Sequence, residues 1–186
     1  MFSHTDMLPT LAAVAGEPDI VAKLKKGYKA GRKNFKVHID GYNLLPFIKG
    51  EIKENPRKGF LYWSDDGDLM ALRVAHWKVV FMEQRARGFD VWKGELTPLR
   101  APDLYNLRSD PFERGKEDGT LFWGKWMADR TFMLVPAQAI VAEFLKTFEE
   151  FPPRHKPASF SINQALEKAE QQQKALGSAA AGGGAR

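Results

Sequence analysis

The 186-residue chain is 44% hydrophobic and 12% aromatic, with 28 basic against 23 acidic side chains and a net charge of +5; a domain of about 150 residues hides roughly 70% of its unfolded surface, so a core is within reach. It contains no cysteine, which excludes disulfides, thiolate zinc sites and a cysteine nucleophile within it. The basic residues fall in short groups, Lys23 with Lys25 and Lys26, Arg32 with Lys33, and Arg85 with Arg87, and such groups without a long run read as a solvated face and weigh against nucleic acid as a partner.

The chain opens on "MFSHTDMLPTLAAVAGEPD", where Met7, Leu8, Leu11, Ala12 and Val14 make an apolar stripe at helical spacing. Thr5 or Asp6 is placed to cap this helix and Gly16 to stop it. A short amphipathic helix is marginal in water, so the stripe is expected to bury against something. Residues 17–42, punctuated by Pro18, Gly27, Gly31 and Gly41, read as a basic irregular loop ending in a short extended piece at 35–39. In "DGYNLLPFIKGE", Asn43 is expected to cap one turn of helix before Gly50.

From Gly59 the pattern changes to strands. "GFLYWS" and "LMALRVA" flank "DDGD", a strong hairpin signal because Asp-Gly supplies the positive φ of tight turns. "HWKVVFME" alternates, with Trp77, Val79 and Phe81 on one side and Lys78, Val80 and Met82 on the other. A polar loop over 84–102 precedes a fourth short strand, "DLYNL", closed by a Ser-Asp-Pro turn at 109–111. Residues 120–151 then carry apolar side chains at largely helical spacing, with Pro136 expected either to kink a helix or to stand in the first turn of a fresh one. The prolines of "FPPRHKPASFS" favour an extended run, residues 161–176 suit a last polar helix, and "GSAAAGGGAR" reads as a disordered tail. No apolar stretch approaches the roughly 20 residues of a membrane span, and residues 1–16 lack the basic start of a secretory signal.

These segments resemble a family. "SHTDMLPTLAAVAGEPD", "DGYNLLPFIKGE" and "DLYNLRSDPFER", in that order with a hairpin between the second and third, resemble the C-terminal third of arylsulfatase-type sulfatases. "FMLVPAQAIVAEFLKTFEEFPPRHKPASFS" is similar to the closing helix and tail of one bacterial arylsulfatase subgroup, so that the likeness covers residues 2–168. It implies an α+β fold: a C-terminal subdomain of four antiparallel strands packed on a long helix, preceded by one helix of the large alkaline-phosphatase-like α/β domain. Residues 1–50 would end that large domain, 51–158 would form the sheet-and-helix subdomain, and 159–186 the polar helix and tail. Met1 would then be an internal methionine of a longer reading frame.

The resemblance further implies sulfuric ester hydrolysis of a small-molecule sulfate ester, with calcium and a formylglycine made from Cys or Ser in a C/S-x-P-x-R motif, in an intact enzyme that is periplasmic or secreted. Those groups lie ahead of the matched segment, so neither a catalytic residue nor a metal ligand is carried over to this chain, and it is expected to show no turnover alone. Two look-alikes fail: "LTPLR" has Leu96 where the nucleophile must stand, and "EFPPR" has Glu150. The alternatives are a stand-alone, non-catalytic binding module using the basic and aromatic 85–100 loop, and a fragment that self-associates through uncovered apolar surface.

The remaining candidates are weighed one by one. Asp65, Asp66 and Asp68 lack the distal glutamate of a calcium loop and read as a hairpin turn. Asp6 reads as a helix cap. His4, His38, His76 and His155 show no metal-ligand spacing, though His4 or His76 could edge a pocket in an assembled enzyme. Trp63, Trp77, Trp123 and Trp126 read as core, whereas Trp92, in "RARGFDVWKGELTPLR", could line a substrate entrance. Asp103, Tyr105, Asp110 and Glu113 look like an acidic site but read as strand and turn chemistry.

Overall fold

The structure, a computed structural model, describes residues 1–152. The extended run after Pro152, the polar helix at 161–176, the tail and His155 lie outside the described residues.

The centre of the fold is a four-stranded antiparallel sheet in the order β3-β4-β5-β6, formed by β3 Gly59–Trp63, β4 Leu69–Val74, β5 Trp77–Gln84 and β6 Leu96–Asn106. The expected hairpin joins β3 to β4, with Gly67 at φ 88° and the Asp68 N–H bonded to the Ser64 hydroxyl. Leu61, Leu72, Val79 and Leu104 pair in one row across all four strands. Leu72, Val79 and Leu104 form the core with Ala137 of helix α6, Leu134–Leu145. Trp77 and Phe81 pack against that core as their alternation requires, and Trp77 stacks on Trp126 of α5, Thr120–Ala128, at 6.0 Å. The molecule is therefore α+β, four antiparallel strands under a long helix.

Pro136 stands in the first turn of α6, where a proline loses no intrahelical bond; the apolar run from 120 is accordingly two helices and not one kinked rod. A short α7, Thr147–Glu150, continues from α6. Against the expectation of no membrane span, the run Thr131–Glu150 covers 20 residues at a mean hydropathy of 1.2, long and apolar enough to cross a membrane by length and composition. Averaging over the window hides Glu143 and Lys146, which interrupt the apolar count. In this fold the run lays Leu134, Ala137 and Val141 on the sheet.

The fourth strand departs from the sequence reading. β6 begins at Leu96, so the second half of the expected polar loop is strand, and Pro98 pairs with Met82. Prolines are tolerated because β6 is an edge strand, and the register shift between Val80 and Met82 absorbs the extra residues around Pro102.

The segment ahead of the sheet also holds more order than expected. Residues 17–42 contain helix α2, Ile20–Lys26, and a small hairpin of β1, Tyr28–Ala30, and β2, Lys33–Phe35. Ile20 and Leu24 bury one turn apart, and Gly27 at φ 112° ends the helix. Two buried residues in a run of lysines leave almost no periodic signal. Leu44, not Asn43, is the N-cap of α3, Leu45–Ile48; Asn43 lies one residue ahead of it, its side-chain oxygen accepting the Leu45 N–H at 3.0 Å.

Helix α1, Met7–Val14, ends near Gly16 at φ 93° as its sequence requires. Among the described residues its stripe is not covered: Met7, Leu8, Leu11 and Val14 are 53 to 64% exposed, and Pro9 is its one buried residue.

Candidate functional site

Asp6 and Arg57 form the most deeply buried charged pair, at 1% and 6% exposure. Ser3, not Thr5 or Asp6, caps the first turn, a 3-10 helix over His4–Asp6. Asp6 closes the capping box by accepting the Ser3 N–H at 2.9 Å, and it makes no side-chain cap to α1. Its role as the helix cap is thus corrected. The carboxylate also accepts the Tyr42 N–H at 2.8 Å, Arg57 Nε at 2.6 Å and Arg57 Nη2 at 2.5 Å.

Arg57 spends its other donors on the Gly59 carbonyl at 3.1 Å, the Thr5 hydroxyl at 3.1 Å and the Asp40 carbonyl at 2.9 Å, under the Tyr42 ring at 4.8 Å. One guanidinium therefore joins the opening turn, the irregular segment at 40–42 and the entry to β3. A Cβ at Gly41 would fall 2.0 Å from the Thr5 carbonyl, so this approach needs glycine. Burial pushes the Asp6 carboxyl up, but the hydrogen bonds from Arg57, Tyr42 and Ser3 and the Arg57 charge outweigh it and hold the group below its usual range. Such a charge is fixed and fully hydrogen-bonded. It has no lone pair left for chemistry.

The sheet face turned away from α6 carries a second polar cluster, in a cleft of about 310 Å³ lined by Tyr62, Trp63, Lys78, Glu83, Asp103 and Tyr105 among others. Lys78 donates to both oxygens of Glu113, at 2.7 and 2.8 Å. Lys116 bridges Glu83 at 2.6 Å and Asp103 at 2.8 Å. Burial works against the charged Lys116, and its bonds to Asp103 and Glu83 more than compensate, so its pKa is raised. Glu83 is held low, first by Lys116 and then by Arg85. Burial, with the Asp103 charge behind it, pushes the Tyr105 phenol up to about 12.

The acidic look of "DLYNLRSDPFE" is thereby divided. Asp103 and Glu113 belong to ion pairs, Tyr105 stays a neutral phenol, and Asp110 accepts the Arg114 and Gly115 N–H groups at 2.9 and 2.8 Å. A nucleophile needs an unengaged base within reach; in this cleft each carboxylate already holds a cation. The arrangement can bind and shape, and it offers no activated attacking group.

His4 lines a cavity of about 340 Å³ with Phe2, Met7, Phe60, Tyr62 and Arg73. His76 lies against Trp77, ring centroids 5.3 Å apart. Trp92 stands 80% exposed on a 3-10 turn, Gly88–Trp92, at the tip between β5 and β6, beside Phe89 at 76%. The structure does not bring His4, His76 and Trp92 to one place: they sit on three separate features. Among the described residues no group of three or more His, Cys, Asp or Glu could hold a metal ion.

Four residues that sequence reasoning missed organise these features: Arg57, Lys78, Lys116 and Gln84. The contacts by which they organise these features reach beyond local spacing: 51 residues from Arg57 to Asp6, 35 from Lys78 to Glu113, 33 from Lys116 to Glu83 and 10 from Gln84 to the Gly94 carbonyl. The chain matches no protein-family model and no curated protein sequence.

Proposed function

We propose that this chain is the C-terminal portion of an arylsulfatase-type sulfatase and that alone it turns over no sulfate ester. The reading rests on the four ordered segments described above. A four-stranded antiparallel sheet under a long helix is compatible with it. The observation that carries it is the seam at the amino end. Helix α1 is tied to the sheet through Asp6 and Arg57, yet it turns Met7, Leu8, Leu11 and Val14 to solvent. A helix held rigidly with its apolar stripe outward suits the boundary between two packed layers.

The calcium and formylglycine of that family do not fit the residues present. Leu96 pairs with Gln84 at the start of β6 and Glu150 ends α7, and neither side chain can become an aldehyde. No step is therefore routed through these groups here, and the part left to this chain is to support and edge a pocket, as His4 does beside Phe60 and Arg73.

Two measurements test the proposal. The purified chain, given an aryl sulfate and calcium, is expected to show no turnover above buffer, and turnover surviving purification controls would overturn that half. The DNA upstream is expected to encode, in frame or after one frameshift, a C-x-P-x-R segment with Asp and Asn metal ligands; unrelated upstream sequence would remove the family reading. The exposed Phe89 and Trp92 favour a second reading, a stand-alone binding module, in that event.

A further inference from the structure

We propose that the groove between the 36–43 segment and helices α6 and α7 is a docking site for residues 153–160 of this same chain. This goes beyond the sulfatase reading and does not depend on it. The groove is made of two adjoining cavities, of about 510 and 730 Å³, that share His38, Asp40 and Thr147. Phe151 and Pro152 line one end of it, and Val21 and Ile140 the other, with Ile140 40% exposed.

The chain is delivered into this groove. Pro152, the last described residue, is part of its wall, and the Phe151 ring packs edge-on against His38 with centroids 5.7 Å apart. Residues 153–160 therefore start from inside the groove, and so short a tether gives a docking segment an effective concentration in about the millimolar range. No separate molecule arrives with that advantage.

Charge selects the same occupant. The walls set Asp19, Asp40, Glu143 and Glu150 against Lys25 and Lys36, an acidic excess on a chain whose net charge is +5. Asp40 faces His38 Nε2 at 3.2 Å. Glu143 and Glu150 differ from Glu117 and Asp118 of α4, Gly115–Asp118, which hold Arg87 and Arg114; among the described residues Glu143 and Glu150 have no ion-pair partner. The departing segment reads "PRHKPASF", with Arg154 and Lys156 and no carboxylate before Glu167. Glu143 of α6 and Glu150 of α7 are seven residues apart along a helical path, about 10 Å, which three or four extended residues span. Arg154 is thereby matched to Glu150 and Lys156 to Glu143, and Phe160 comes within reach of Val21 and Ile140. Pro153 and Pro157 bring no N–H that needs a partner in the groove and have little backbone freedom to lose there.

The test is limited chymotrypsin digestion of the full native chain, following the bond after Phe160 in the wild type, E143K/E150K, R154E/K156E and the fourfold variant. Glu143 and Glu150 are exposed, so reversing them leaves the core intact, which an unchanged denaturation midpoint for α6 packing checks. The wild type is expected to be cut at least tenfold more slowly than a synthetic peptide of residues 153–168, because cleavage follows the open population. Each paired reversal is expected to speed the cut at least fivefold, and the fourfold variant to return to the wild-type rate. The proposal is overturned by a wild type cut as fast as the peptide, by reversals cut no faster than the wild type, by a fourfold variant that does not recover, or by protection that rises with protein concentration, which would seat the segment in a second copy.

Discussion

Arg57 and Gln84 each gather several backbone groups around one side chain, but Arg57 does so inside the protein, 6% exposed, while the bonds of Gln84 lie at the surface. Both loops also close over a glycine: a Cβ at Gly41 would strike the Thr5 carbonyl at 2.0 Å, and one at Gly94 would meet the Ala86 Cβ at 2.8 Å and Gln84 Oε1 at 2.9 Å. The difference lies in what yields. At Gly41 the obstacle is the Thr5 backbone, whereas at Gly94 it is the Ala86 Cβ and the Gln84 side-chain oxygen, of which only the Gln84 end can swing aside, with the Asp90 carbonyl behind them at 3.2 Å. The same device therefore clamps three segments together in one place and merely shapes a tip in the other, and the distinction follows from the cost of leaving a buried ion unpaired.

The sharpest break of that comparison is Arg57→Met, which leaves the Asp6 carboxylate buried without its cation. It is expected to cost about 3–5 kcal/mol in chemical denaturation, a large part of the roughly 5–15 kcal/mol of a typical domain. The double variant D6N/R57M is expected to recover much of it, since no charge is then stranded. The same pair sets an acid limb. Asp6 titrates below its unfolded value, so its contribution is complete above that value and fades as pH falls through the folded one. A denaturation series at falling pH should show this loss in the wild type and less of it in D6N/R57M; equal slopes would detach Asp6 from acid stability.

The sheet's polar face stands between the two cases. Tyr105 is pushed up to about 12 and is 7% exposed, so its contribution is complete below the unfolded value near 10 and is lost as pH rises toward 12. A shift of that size corresponds to about 2–3 kcal/mol. Ultraviolet titration should show a late phenol that Tyr105→Phe removes. Gln84→Ala is the mildest change, expected to cost about 0.5–1.5 kcal/mol because water replaces its exposed hydrogen bonds. Its effect should appear as faster amide exchange at Gly94 rather than as global unfolding, and a global loss as large as that of Arg57→Met would erase the contrast.

How much of this was legible depends on distance along the chain. The β3–β4 hairpin could be read because Asp-Gly chemistry and the flanking apolar runs are neighbours. Pro136 was read for the same reason, since it acts within a turn of itself. Asp6 was read as a cap because capping is its local option, and the partner that overrides it is 51 residues away. Leu96 to Pro102 read as loop because two prolines argue against a strand, and only the edge position of β6 lifts that objection. Trp92 was set apart because it lies in a polar loop beside arginines, and it stands 80% exposed. Its rigid support by Gln84 was not visible.

The sequence by itself determined the alternation that gives the sheet an apolar and a polar face, the turns at Gly67 and Gly16, and the want of a cysteine or a usable nucleophile motif, because each follows from residues a few positions apart. The tertiary structure alone decided that Arg57 closes on Asp6, that Lys116 bridges Glu83 and Asp103, and that the α1 stripe and the β5–β6 tip face water. Which buried charge finds which partner, and which apolar surface stays exposed among the described residues, depends on chain segments meeting in space, and the pattern along the chain does not encode that meeting locally.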